Sequence, residues 1–427
     1  MGWLRVQLEE IKSTAPRSLV GGPFGSDLTT RDYVEEGVPV IRGGNLPDEH
    51  SFHDDDFVYV SEQKADQLRA NNAHPGDVIF TQRGTLGQVG LIPLEPRFPR
   101  YVISQSQMKL SVNPLKADAR FVYYFFRHSD TVQKVKNHAI TSGVPHINLG
   151  ILREFKIPLP PIKAQRKIVD VLSNYDALLV NNRRRMRLLE ESARMLYREW
   201  FVHLRFPGHE RTRITSGVPA GWERTQLKSI INVTHGSAFQ GDHFSDEPTS
   251  RVLTTPGNFR IGGGIKIDKL KFYSDEGPLN SAYVLAPMDL IVTMTDLSKT
   301  CDTLGFPAFV PKLDGISFLH NQRVGKVVPQ GQFFPKHFLY CLFCDESYRH
   351  HVVGAATGTS VKHTSPTRIL NYIAVLPSTD ALIESFERAA TPLFAQINCL
   401  IEMNQALRTA RDLLLPRLMS GELRVGA

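Results

Sequence analysis

Gly2-Trp3-Leu4-Arg5-Val6-Gln7-Leu8 opens the chain, and Gly221-Trp222-Glu223-Arg224-Thr225-Gln226-Leu227 restates it 219 residues later, with five of seven positions the same. Working outward, Pro75-Gly76-Asp77-Val78-Ile79 corresponds to Pro287-Met288-Asp289-Leu290-Ile291 at an offset of 212. Gln107 corresponds to Gln322 at 215. Phe121-Val122-Tyr123 corresponds to Phe338-Leu339-Tyr340, and Val144 and His146 to Val361 and His363, all at 217. Each match is weak alone; their common order and near-constant offset are not. Loop insertions absorb the drift, because loops change length at little cost. The chain therefore reads as two copies of one unit of a little over 200 residues, far too long a period for a solenoid.

Composition sets the class. With 427 residues, 41% hydrophobic and 22% charged, the chain can bury sizeable cores and is not a disordered polymer. A net charge of +7 and a pI near 9.1 suit a polyanionic partner without requiring one. Cys301, Cys341, Cys344 and Cys399 all fall in the second half. With no secretory signal in Met1–Glu10, this points to a reduced, cytoplasmic protein. Cys341 and Cys344 form a lone C-x-x-C within an apolar helical segment, Phe338–Phe343. They read as small core residues rather than as a zinc site, which would need a second ligand pair. No apolar run approaches the ~20 residues of a membrane span.

Each unit begins with a mixed strand-and-loop part. Val38–Arg42, Asp77–Thr81 and Ile103–Val112 in the first copy, and Arg251–Thr255, Asp289–Thr293 and Gln322–Val328 in the second, are short β-branched runs punctuated by Gly and Pro. Phe121–His128 predicts a short helix. A long helix follows. After Pro158–Pro161, the residues Ile168, Leu172, Tyr175, Leu179, Asn182, Met186, Leu189, Ala193, Leu196 and Trp200 step by fours and threes, the signature of a coiled-coil seam. At 1.5 Å per residue, a helix over 163–201 would run about 58 Å. Asn182 is its one strongly polar member, either a tolerated exposed position or a register-setting pair with a partner helix. In the second copy Phe386, Ala389, Leu393, Ile397, Leu400, Met403, Leu407, Ala410 and Leu414 form a similar stripe. Pro392 is expected to kink or restart that helix, and Pro416 and Gly421 to end it.

The predicted organisation is a recognition domain over 1–160, a long helix over 161–203, a second recognition domain over 204–377, and a second long helix with a tail over 378–427. The expected fold is two α/β (α+β) domains in pseudo-twofold arrangement, separated by two long antiparallel coiled-coil helices that cover each other's seams. Two similar readers on a rigid spacer suit a bipartite site on a DNA duplex, whose faces repeat every ~34 Å.

The chain resembles the specificity subunits of type I restriction–modification systems. The resemblance rests on Val218-Pro219-Ala220-Gly221-Trp222 and the earlier Gly-Trp start, Gly21-Gly22-Pro23-Phe24-Gly25-Ser26, and Ile157-Pro158-Leu159-Pro160-Pro161 with Gln165 and Ile168. Most diagnostic are Leu196-Tyr197-Arg198-Glu199-Trp200-Phe201 with Phe206-Pro207-Gly208, and Leu413-Leu414-Leu415-Pro416-Arg417-Leu418-Met419-Ser420-Gly421-Glu422-Leu423. Ala164 departs from the usual Glu, and Pro377–Ile383 lacks the usual Pro-Pro-Leu-x-Glu-Gln helix start. The resemblance implies a non-catalytic subunit that assembles on double-stranded DNA with two modification (methyltransferase) subunits and with restriction subunits. The partners would use S-adenosylmethionine, ATP and Mg to methylate adenine N6 and to translocate and cleave DNA, and this chain would hold no cofactor and no metal. It further implies that the helices dock the modification subunits and act as the ruler, through Asn182, Arg183, Arg184, Arg185, Leu189, Leu196, Leu400, Leu407 and Leu414.

Base reading needs side chains able to form paired hydrogen bonds in the major groove. The candidates, at repeat-equivalent places, are Thr81, Gln82, Arg83, Ser104, Gln105, Ser106, Gln107 and His146 in the first copy. In the second they are Thr293, Thr295, His320, Asn321, Gln322, Arg323 and His363. Thr141–His146 and Thr357–Thr364 are Gly-, Ser- and Thr-rich loops that could hold phosphates. Arg183-Arg184-Arg185 with Arg187 reads as a solvated helical face, a docking surface or a phosphate contact. Gly262-Gly263-Gly264 is a turn rather than a nucleotide cradle, since it lacks the phosphate-loop spacing and Lys. Asp54-Asp55-Asp56 reads as a solvated acidic loop. Two rivals to a DNA reader are a single-chain methyltransferase or endonuclease, disfavoured by missing cofactor motifs, and a scaffold indifferent to DNA.

Overall fold

The computed structural model describes residues 3–47, 50–140, 144–267, 270–330 and 334–424. Residue 2 of the opening motif and residues 141–143 of the expected phosphate loop lie outside the described residues. The chain forms two compact units, Met1–Val180 with Ala406–Ala427, and Asn181–Gln405. The division crosses both long helices, so each unit holds one head together with a part of each helix. Among the described residues no helix is long and apolar enough to cross a membrane.

In the first unit the opening strand Arg5–Gln7 pairs antiparallel with Lys156–Pro158, joining the two ends of the head. A four-stranded sheet runs Leu19–Gly21, Gln107–Leu110, Val78–Thr81, Val89–Leu91. A five-stranded sheet runs Tyr33–Val34, Val58–Val60, Val38–Ile41, Tyr101–Ile103, Asn72–Ala73, with Val38–Ile41 and Tyr101–Ile103 parallel. The second unit repeats all three. Trp222–Gln226 pairs with Ile373–Pro377. Ile231–His235, Val324–Pro329, Leu290–Thr293 and Pro307–Phe309 form the four-stranded sheet. Phe244–Ser245, Lys271–Tyr273, Arg251–Thr254, Ser317–His320 and Val284–Leu285 form the five-stranded one, again with its middle pair parallel. The duplication read from scattered residues is thus a duplication of strand order.

Val38–Ile41 and Val78–Thr81 are buried at every position, as strands covered on both faces must be, which is why they read as unbroken apolar runs. The predicted single run Ile103–Val112 is corrected. It breaks at residues 104–106, and its two strands enter different sheets. Alternation cannot reveal that break, because both strands are fully buried. The repeated Pro-x-Asp has a physical role. The Asp77 carboxylate accepts the His74 N–H at 2.9 Å and lies 3.7 Å from the buried Lys109 ammonium. Asp289 accepts the Ala286 N–H at 2.9 Å and lies 2.6 Å from Lys326.

The first long helix spans Ile162–Tyr197 and widens into a π-helical turn over Arg198–Val202. The second spans Asp380–Ser420 without interruption. The expected restart at Pro392 and stop at Pro416 are therefore corrected. Pro392 and Arg388, the residue whose carbonyl it leaves without an N–H donor, both lie on an exposed face of the helix. The helix stops at Gly421, whose φ of +79° takes the left-handed conformation that ends helices.

Within the second unit the helices run antiparallel: Tyr197 and Trp200 of the first meet Phe386 of the second at 6.1 and 6.2 Å between ring centroids, while Asn182 meets Asn404. Both amides are buried, and Asn182 Nδ2 donates to Asn404 Oδ1 at 3.0 Å. This decides for the register-setting reading of Asn182. The predicted second stripe is out of phase by one residue over part of its length. Ala390, Phe394 and Asn404 are buried, whereas Ala389 and Met403 are exposed and Leu393 is half-buried. The buried face there is turned toward the head helix Lys336–Cys344 as well as toward its partner, with Phe394 stacked on His337 at 4.6 Å. In the first unit Leu415, Leu418 and Met419 share a core with Ile168, Val169 and Leu172, and Arg411 pairs with Asp176 at 2.7 Å.

Each head is clasped to a helix by buried polar groups. In the second unit the Glu190 carboxylate accepts from Arg260 at 2.7 Å and from the Tyr340 hydroxyl at 3.2 Å, and Arg194 donates to the Gly262 carbonyl. The Gly262-Gly263-Gly264 turn exists for this clasp. All three glycines have positive φ, and a Cβ on Gly264 would lie 2.1 Å from Arg260 Nη2. Cys344 closes the same cluster, its Sγ bonded to the Gly262 carbonyl at 3.5 Å. In the first unit the corresponding clasp is Asp176, held by Tyr124 at 2.7 Å and by Arg411.

Gly264→Ala is expected to lower the stability of the second unit by about 1–3 kcal/mol from backbone strain alone, read as a fall in its thermal midpoint. Gly241→Ala, where an added Cβ meets nothing within 4 Å, should leave the midpoint in place. Asn182→Ala should cost about 1–3 kcal/mol by stranding Asn404. The Asn182→Leu/Asn404→Leu double variant should recover most of that loss in a denaturation cycle. A cost that simply adds would show that the two amides do not act as a pair.

Candidate nucleic-acid interface

Four loops converge at one place in each head, fixed by backbone bonds between strands of different sheets. In the first head Gln82 N–H and Arg83 N–H both donate to the Ser106 carbonyl, at 2.7 and 3.3 Å, and the Ile147 N–H donates to the Gln82 carbonyl at 3.0 Å. Arg83 and His146 form a β-bridge. Gly22 fits only because it has no side chain, since a Cβ there would lie 2.2 Å from the Ser104 carbonyl. In the second head the Ser237 N–H donates to the His320 carbonyl at 2.8 Å, the Met294 N–H to Arg323 at 3.0 Å and the Thr364 N–H to Met294 at 3.0 Å. Thr295 pairs with His363, the counterpart of Arg83 with His146. A Cβ on Gly236 would lie 2.0 Å from the His320 carbonyl. Sequence reasoning thus chose residues that the fold brings together, although they stand as much as 68 positions apart in the chain.

Exposure divides them. Thr81, Gln107, Thr293, Thr295 and His320 are buried. In three of them the polar atoms serve the fold: Thr293 Oγ1 donates to the Thr295 carbonyl at 2.8 Å, Ser104 Oγ donates to Gln107 Oε1, and the His320 Nε2–H donates to the Val324 carbonyl at 2.9 Å. Gln105 is exposed, yet its amide holds the carbonyls of Gly25 and Leu28 at 2.6 and 2.7 Å. Asn321 accepts the Arg323 N–H at 3.0 Å and shapes a turn. The side chains that face solvent are Arg83, Gln322, Arg323 and His363, with Gln82, Ser104, Ser106 and His146 half-buried. On the helices, Arg184 and Arg185 are exposed, Arg183, Leu189, Leu196, Leu407 and Leu414 are half-buried, and Asn182 and Leu400 are buried. Asp54 is an internal anchor: it accepts from the Tyr101 hydroxyl and the Arg97 N–H, both at 2.6 Å.

Sequence reasoning missed the loop after Thr295. Asp296 is buried, and its carboxylate accepts the N–H groups of Ser298 at 2.7 Å, Thr303 at 2.5 Å and Leu304 at 3.0 Å, and the Thr303 hydroxyl at 2.8 Å. Burial works to raise its pKa, but these donors prevail and hold it below the ordinary carboxylate value. An Asp followed by Ser two positions on is a detectable turn signal, but only the fold shows that it closes so long a loop.

The family described as Type I restriction modification DNA specificity domain matches residues 26–190. Over 97% of its length the chain is 24% identical to the type I restriction enzyme MjaIX specificity subunit of Methanocaldococcus jannaschii, covering 94% of that protein. It is 21% identical to the MjaVIII specificity subunit of the same organism over 76% of this chain and 75% of that one. Over nearly its whole length the chain is thus similar to type I restriction enzyme specificity subunits, and its first half carries the matching DNA specificity domain. The fold agrees. The type I restriction–modification S subunit structure from M. genitalium matches 98% of the chain and 96% of its own length, with a TM-score of 0.51 at 16% identity. The matched span 26–190 holds most of the first head, including Arg83 and His146, and much of the first helix.

His320 supplies a test of how the second loop cluster is held. Burial pushes its pKa below the ordinary 6.5, against the opposing effect of its bond to the Val324 carbonyl. The folded protein therefore binds fewer protons than the unfolded chain once the pH drops below about 6.5. Stability is held above that pH and lost as the pH falls from the unfolded toward the folded pKa. His320→Gln, which keeps a donor for Val324, should flatten this part of the dependence of the thermal midpoint on pH. An unchanged slope would show that His320 does not titrate as a buried group.

Proposed function

We propose that each head reads one half of a bipartite, asymmetric DNA target through its loop cluster, and that the two long helices set the spacer and dock the modification subunits. The observation that carries this reading is the duplication itself. One strand order is built twice, each copy gathers the same four loops, and each presents basic side chains: Arg83 in the first, Arg323 and His363 in the second. Loops carried on a rigid scaffold are where recognition residues concentrate, and because they differ in sequence the two copies can read different bases. The net charge of +7 suits the backbone term of DNA affinity.

On this reading the chain performs no chemistry. Adenine methylation with S-adenosylmethionine, and ATP- and Mg-dependent translocation and cleavage, belong to the modification and restriction subunits, and the complex works in the cytoplasm. The exposed Arg184 and Arg185 then face either a docked subunit or solvent.

Co-expression with a modification subunit, followed by mapping of methylated adenines across a plasmid, tests the proposal. The expected result is methylation confined to a two-part sequence with one fixed spacer, and none from the purified chain alone. Methylation without sequence preference, or by the isolated chain, would overturn it.

A further inference from the structure

The equivalence of the two heads fails at two places within the loop cluster. In the first head residues 82–88 join Val78–Thr81 to Val89–Leu91; in the second, residues 294–306 join Leu290–Thr293 to Pro307–Phe309. The longer connection is not slack. Asp296 draws together the N–H groups of Ser298, Thr303 and Leu304, and Asp302 N–H bonds to Ser298 Oγ at 2.9 Å. Cys301 is held at a φ of +59°, an unfavourable conformation for a residue with a Cβ. Arg349, lying 4.0 Å from the Phe306 ring centroid, fastens the Cys301 carbonyl at 2.8 Å. On this fastened loop Leu297 is 66% exposed, and Lys299 and Thr300 are exposed beside it. The loop is continuous with the cluster, because Asp296 pairs with Lys362 and Thr295 with His363 in one antiparallel ladder.

The first head does the reverse. Its short connection places no large apolar residue in water: Leu86 is buried. Instead Phe24 is 86% exposed, on a loop whose Gly25 and Leu28 carbonyls are tied to the Gln105 amide. The phenylalanine at the matching place in the second head, Phe239, is turned inward onto Tyr273 at 5.2 Å. Among the described residues each head therefore sets its most exposed large apolar side chain of the cluster on a different loop, Phe24 in the first and Leu297 in the second, with Val144 at 58% a lesser one beside His146. Cations accompany both: Arg83 in the first head, where Asp27 is also exposed on the Phe24 loop, and Lys299, Arg323 and Lys362 in the second, where Asp302 is the one exposed carboxylate of residues 294–306 and accepts from the Thr300 hydroxyl at 2.7 Å.

We propose that Phe24 in the first head and Leu297 in the second are the apolar readers of the target, each meeting the methyl group of a thymine in the major groove while the neighbouring cations meet phosphates. This inference rests on the DNA-reading function proposed above. The thymine methyl is the apolar group that a base pair offers in that groove, and apolar side chains are its ordinary partners. Using different loops gives the heads different reach along the duplex, so the two half-sites are read at different positions relative to each head.

The test uses the complex with the modification subunit and the mapped target. In each half-site the thymines are replaced singly by uracil, which removes only the methyl group, and methylation rates are measured for the wild type, Phe24→Ala and Leu297→Ala. Both side chains are exposed, and unchanged thermal midpoints would confirm that both variants fold. The expected result is a fall of about tenfold for one uracil in each half-site with wild type. Phe24→Ala should show the same fall on the unmodified target and become insensitive to that uracil in one half-site, with Leu297→Ala doing so in the other. Wild-type rates and preferences in both variants, or an equal loss at both half-sites, would overturn the inference and leave the bipartite reading standing. Failure of the wild type to methylate any bipartite site would remove both.

Discussion

An amide buried in an apolar helical seam must find a partner, because an unmet donor in that setting costs more than the bond itself contributes. Asn182 and Asn404 meet that constraint with each other. Leucine pairs slide past one another at small cost, whereas an Asn pair is satisfied in one alignment only. With the register fixed, Tyr197 and Trp200 are carried to Phe386, and Glu190 to the level where Arg260 and Tyr340 can reach it. The position of the second head against its helices thus descends from a hydrogen bond between two uncharged side chains.

The clasps extend the same logic. Glu190 and Asp176 are carboxylates on the first long helix, held by tyrosines from the head: Tyr340 in the second unit and Tyr124 in the first. Burying a carboxylate is costly unless it is paired and hydrogen-bonded, so such groups weigh more for orientation than for stability. A sliding apolar contact would let a head roll on its helix. An arginine and a tyrosine of the head converging on Glu190 do not, and a loop cluster that reads DNA needs that rigidity, since misplacement by an ångström is enough to lose a base contact.

Much of this was legible in the sequence, and the reasons are specific. The repeat was readable because Pro-x-Asp and the paired histidines are fixed by backbone demands common to both copies. The first seam was readable because its heptads are regular. The second was misplaced by a residue where Phe394 serves the head helix as well as the partner helix, so that its buried face no longer follows a two-helix pattern. Asn404 lies 222 residues beyond Asn182, outside the 212–219 offsets of the repeat, so carrying Asn182 forward would not have found it. Pro392 does not restart the helix, and it stands with Arg388 on an exposed face, where water can meet a carbonyl left without its donor. Among the candidate base readers, residue type alone could not separate Thr81, Gln107, Thr293, Thr295 and His320 from Arg83 and Arg323, because a polar residue at a strand end can turn inward to hold a loop or outward to meet a ligand.

That division explains how a duplicated domain can change what it reads without losing its fold. The inward residues brace their own turns, Thr293 to Thr295, His320 to Val324 and Ser104 to Gln107, and the glycines at 22 and 236 let strands approach the next loop. The outward residues touch little of the protein, so substitution there leaves the framework intact. A longer connection after Leu290–Thr293 is tolerated for the same reason, provided something such as Asp296 organises it. Divergence of the two heads is therefore confined by physics to the loop tips, and the sequences of those tips are free to differ between one half-site and the other.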